Sequence, residues 1–287
     1  MLFLAGSLVS LEHQRNICVG TNDSEMLNIN MKRCQTMTPD LPEQHSVFRS
    51  VLLHLGPGIV ALFAYLFVTA PLSTALGLPK RMAFVLMDVL VLIPVLLGSL
   101  LYRGHAKTGR WTLDGIVLNR HQLSAKKLAA ILFALFCWGA LVMVFLSWTD
   151  AMLLKRVFYW VPDSLLDLER VDLSAHPPIL LIGTRLASIA FVGLVGPIAE
   201  ELYFRGFLLP RVSWMGPWAA IWQAFLFAGY HFWSPWSFIW RVIILIPAIY
   251  AVQRTRSLSV MIWGHCLGNT IGELFSLGTL LKAMLGR

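Results

Sequence analysis

Residues 128–148 read LAAILFALFCWGALVMVFLSW and hold no charged side chain. As a helix rising about 1.5 Å per residue, this run is long enough to cross a hydrocarbon layer of about 30 Å. Similar runs lie near residues 51–76, 82–101, 180–212, 216–234, 236–252 and 257–281. A backbone in lipid must satisfy its own hydrogen bonds, so repeated apolar runs of this length predict an all-α, polytopic transmembrane helical bundle of about seven spans. Composition agrees, with 57% hydrophobic and 13% charged residues against roughly 45–50% and about 25% in soluble domains.

The formal charge of +8 does not point to nucleic acid, because the Lys and Arg excess lies mostly in short segments between apolar runs, where basic residues set membrane orientation. Arg103, Lys107, Arg110, Arg120, Lys126 and Lys127 crowd the segment after the second run. They predict that this segment and the N-terminus face the cytoplasm. The expected partner is the lipid bilayer, with no nucleic acid. Cys18, Cys34, Cys137 and Cys266 show no CxxC or other metal-ligand spacing.

Three regions follow from the pattern. Residues 1–44 form a polar leader, expected to be disordered. Its apolar start, residues 1–11, lacks a basic preface and is not read as a cleaved signal. Met26, Met31 and Met37 leave a downstream start open. Residues 45–178 hold the N-terminal spans and, from 151 to 178, an interfacial amphipathic segment that mixes Phe158 and Trp160 with Asp163, Asp167, Glu169 and Asp172. Residues 179–287 form a membrane domain that carries the chemistry. Within it, the run at 180–212 is too long for a simple crossing, and Gly193, Gly196 and Pro197 predict a kink or break near Pro197.

An ionisable side chain at mid-bilayer costs about 2.5–3.5 kcal/mol on insertion scales, so each one needs a reason. Asp88 and Arg185 stand alone in sequence and are read as structural, as interhelical pairs or snorkelling ends. The stretch GPIAEELYFRG at 196–206 is different. Glu201 and Arg205 are at i and i+4 and neutralise one another as an ion pair. Glu200, turned about 100° away on a helix, lacks that counter-ion and suits a general base or acid in an apolar site.

Two later runs supply partners. Phe227 and His231, and then His265 and Asn269, are again i and i+4 pairs, each predicted to present one helical face. Measured from assumed cytoplasmic ends near Val212, Trp218 and Ser257, Glu200, His231, His265 and Asn269 lie roughly 18, 20, 12 and 18 Å deep at helical rise. Groups from three helices therefore share one layer, as in a single polar cavity.

These residues, in this order, resemble the motifs of the CPBP family, the CAAX protease and bacteriocin-processing proteins, which include type II CAAX prenyl endopeptidases. The resemblance covers about residues 180–281. It implies an integral-membrane glutamic endopeptidase acting on a membrane-associated or lipid-anchored protein. Glu200 and His231 would activate water, His265 and Asn269 would form the oxyanion hole, Glu201 and Arg205 would hold the helix, and Phe227 would pack against His231. No cofactor is implied by that mechanism. A zinc reading would instead use Glu200, His231 and His265 as a His2Glu set, although no HExxH occurs. A thiol mechanism at Cys266 is disfavoured, since no second His shares its face. Two other classes remain open: a noncatalytic immunity or scaffold protein on the same fold, and a transporter, against which the missing inverted repeat argues.

Overall fold

The computed structural model describes residues 42–161 and 173–286. Residues 1–41 of the leader, expected to be disordered over 1–44, with Cys18 and Cys34, and the stretch 162–172 of the interfacial segment lie outside the described residues. Ser46 opens the first helix: its hydroxyl accepts the backbone N–H of Arg49 at 3.3 Å, satisfying one of the orphan donors of the first turn. Helix α1 then runs Val47–Ala75 and α2 runs Lys80–Thr108. Gly109, at φ 72°, takes the left-handed turn that ends α2. Ser124 caps α3, Ala125–Leu146, the run quoted first above. A short α4, Trp148–Arg156, follows.

Helix α5 spans Pro178–Met215. Beyond it lie α6 (Trp218–Tyr230), α7 (Phe238–Thr255) and α8 (Ser259–Leu285). Among the described residues there is no β-strand, only an isolated bridge between Arg120 and Ser257. The all-α polytopic reading therefore holds.

The count of about seven spans is not reached among the described residues, where five helical segments are long and apolar enough to cross a membrane: α1, α2, α3, α5 and Pro235–Thr255. Helix α6 has 13 residues, about 20 Å at helical rise, and is too short. Helix α8 has 27 residues, but His265, Asn269, Thr270 and Glu273 lower its hydropathy.

Nor does α5 break at Pro197. The chain stays helical, and the predicted disturbance is a change of winding: a π-helical turn at Phe191–Val195, an α-helical turn at Gly196–Glu201, and a second π-helical stretch at Leu202–Leu208. A proline lacks an N–H and crowds the carbonyl four residues before it. Here that residue is Gly193, inside the wider turn, so the helix relaxes locally without parting.

A π turn releases carbonyls from the regular ladder, and buried carbonyls need donors. Those of the first turn are met by α8: Asn269 Nδ2 donates to Val192 O at 3.1 Å and Thr270 Oγ1 to Gly193 O at 3.3 Å. Those of the second are met by the loop after α2: Leu118 N–H donates to Gly206 O at 2.8 Å and Asn119 Nδ2 to Arg205 O at 3.0 Å. The paired glutamates thus sit on one α-helical turn, flanked on both sides by π turns and the groups that donate to them. Arg185, read from sequence as structural, either an interhelical pair or a snorkelling end, is in a pair: its guanidinium lies 3.7 Å from Glu273 on α8, and Arg81 on α2 pairs with the same carboxylate.

Candidate functional site

Packing around Phe204 shapes the floor of the site. Its ring is fully buried and meets Phe227 and Tyr230 of α6, each at 4.9 Å between centroids. Beside it Arg205 is wholly buried, 3.1 Å from Glu201 Oε1 and 4.0 Å above the Phe227 ring. The i, i+4 ion pair expected from sequence is present. Phe227 has a further part in it, because an aromatic face attracts a desolvated guanidinium.

Glu201 also accepts from a second partner. His265 Nδ1 lies 2.8 Å from Glu201 Oε1, while its Nε2 lies 3.7 Å from Glu200 Oε2. Because a carboxylate only accepts, Nδ1 carries a proton and the ring is oriented with Nε2 toward Glu200. Glu200 is buried, and its Oε1 accepts a hydrogen bond from the Tyr230 hydroxyl. Tyr230 is absent from the sequence-based set. Its position next to His231 was the only hint, since an aromatic in an apolar run reads as packing.

His231 does not share a helical face with Phe227. Helix α6 ends at Tyr230, and His231 takes φ −78°, ψ 60° at its C-terminus. Pro235 lies ahead and cannot continue a helix. The imidazole turns back, with Nδ1 2.7 Å from Phe227 O and its ring 4.9 Å from the Phe227 centroid. A carbonyl only accepts, so Nδ1 is the protonated nitrogen and Nε2 keeps its lone pair.

Glu200, Phe227, His231, His265 and Asn269 all line one cavity of about 730 Å³, within the usual range for small-molecule and peptide side-chain sites. Glu201 and Arg205 stand behind it. Apolar groups dominate the remaining wall, among them Leu132, Leu135 and Phe136 of α3, with Gly264, Gly268 and Gly272 of α8. Asp88, read from sequence as structural, also lines the cavity, and no hydrogen-bond donor reaches its Oδ2. Arg241 of α7 is a second lining residue missed in sequence. Cys266 is buried away from this wall, its thiol directed at Leu194 O. Among the described residues no three His, Cys, Asp or Glu side chains are grouped so as to hold a metal ion, and Glu200, His231 and His265 do not form that set in this arrangement.

The fold and site define an integral-membrane helical protein with a buried glutamate and histidine centre open to an apolar cavity. Residues 182–271, from α5 into α8, match the model of the type II CAAX prenyl endopeptidase Rce1-like family. This segment contains every residue of the Glu, Arg, Phe, His and Asn motifs. No curated protein and no solved structure matches the chain.

Proposed function

We propose that the protein is an intramembrane endopeptidase of the CAAX-processing type, hydrolysing a peptide bond of a membrane-associated or lipid-anchored protein at a cavity reached from the cytoplasmic side. One observation carries the reading: a buried carboxylate, Glu200, shares a cavity with two imidazoles whose Nδ1 atoms are both tied down, His231 to Phe227 O and His265 to Glu201. Glu200 takes the proton of a water, held in place by the lone pair of His231 Nε2, as the water attacks the peptide carbonyl. Tyr230 fixes the rotamer of Glu200 through Oε1. The oxyanion is met by His265 Nε2 and by the second amide hydrogen of Asn269, the first being given to Val192 O. To donate from Nε2, His265 has to carry both ring protons, and carboxylates stand on either side of it. The proton held at Glu200 then passes to the leaving amine, so no other acid is required.

Glu200→Gln tests the reading, because the amide keeps the shape and loses the base. Cleavage of a membrane-anchored peptide should fall by about 100-fold to 10,000-fold with insertion and thermal unfolding unchanged. Cleavage near the wild-type rate removes Glu200 from the mechanism and favours a noncatalytic role for the fold.

A further inference from the structure

The cavity holds one acidic side chain that the endopeptidase reading does not use. Asp88 is 4% exposed, lines the cavity, and has no hydrogen-bond partner for Oδ2 among the described residues. The other charged lining groups are engaged: Glu200 by Tyr230 and His265, and Arg241 by the carbonyl and hydroxyl of Ser234 at 3.4 and 3.1 Å.

Its placement is specific. A Cβ built on Gly196 would stand 2.8 Å from Asp88 Oδ2 and 3.4 Å from Oδ1, so the carboxylate rests against bare backbone where any side chain would displace it. Gly196 lies one helical turn before Glu200, and positions so spaced are about 5–6 Å apart. An extended peptide advances about 3.3–3.6 Å per residue, which puts Asp88 beside the substrate residue one or two places from the bond facing Glu200. A buried acid oxygen without a donor gains a partner when an ammonium or guanidinium with hydrogens to donate is brought to it.

We propose that Asp88 forms an anionic subsite that receives the ammonium or guanidinium of a basic substrate side chain next to the scissile bond. The proposal rests on the endopeptidase reading for the position of that bond, and its test separates the two. In a Glu200→Gln background Asp88 is the one acid among the described residues lining the cavity. The full chain in detergent is titrated with palmitoylated peptides in which lysine, norleucine or glutamate occupies each position in turn, and binding is read by fluorescence anisotropy. At one position lysine should bind at least about tenfold tighter than norleucine, a difference of about 1.4 kcal/mol, and glutamate weaker than either. Adding Asp88→Asn should bring the lysine to norleucine ratio within about twofold of unity, while Asp88→Glu should keep a preference for lysine. A ratio that Asp88→Asn leaves unchanged, or the lack of any position favouring lysine, overturns the subsite. Cleavage of the same peptides by the wild type is scored separately: if none is cut, the endopeptidase reading fails while the binding ratio still reports on Asp88.

Discussion

His265 donates through Nδ1 to Glu201 at 2.8 Å, and Glu201 is the same carboxylate that neutralises Arg205. One acid therefore does two things: it compensates a buried guanidinium and aims an imidazole at Glu200. This couples the charge network behind the cavity to the groups that face it.

Removing the ring tests the forward half of that coupling. His265→Ala should lower kcat by about 100-fold or more with little change in KM, as expected for a donor that acts when the oxyanion forms. A rise in KM with kcat unchanged would make His265 a binding group.

Glu201→Gln tests the backward half. The amide still accepts from His265, but Arg205 is left fully buried without its counter-carboxylate, beside the Phe227 and Phe204 rings. Loss of one partner of such a pair costs about 3–5 kcal/mol, so the variant should unfold in detergent at clearly lower temperature than wild type. An unchanged unfolding temperature would show that the pair contributes nothing.

Tyr230→Phe keeps the ring packed between Phe204 and Trp233 and removes only the hydroxyl held by Glu200. A hydrogen bond to a charged group contributes about 1.5–3 kcal/mol, so kcat should fall by about 10-fold to 100-fold, with the fold intact by circular dichroism.

Two glycines should respond in opposite ways. A Cβ at Gly196 meets Asp88 Oδ2 at 2.8 Å and the backbone oxygen of Phe191 at 3.0 Å, whereas at Gly268 nothing lies within 4 Å. Gly196→Ala should cost about 1–3 kcal/mol through overpacking, and Gly268→Ala should stabilise by about 0.4–1 kcal/mol by restricting the unfolded chain. Thermal unfolding of both variants decides it.

Metal dependence is open to direct measurement. With water activated by Glu200 and His231, protein stripped by a chelator should keep its peptidase activity. Stoichiometric zinc by elemental analysis, lost together with activity and restoring it on return, would replace this mechanism with a metal-based one.

The sequence by itself determined the class of fold, since an apolar run such as 128–148 has no low-energy state in water and closes its backbone bonds as a helix in lipid. It also determined the Glu201 and Arg205 pair, because i and i+4 on one helix is a local relationship. Contacts between helices belong to the tertiary structure alone. That Glu201 reaches His265, that Tyr230 reaches Glu200, that Glu273 serves Arg81 and Arg185, and that Asp88 faces the cavity all depend on distances between elements that no local pattern encodes. The winding of α5 was half legible: Gly193, Gly196 and Pro197 marked the place. Whether the helix broke or widened there was decided by Asn269 and Thr270 of α8, and by Leu118 and Asn119 after α2, which supply donors to the carbonyls that a π turn sets free.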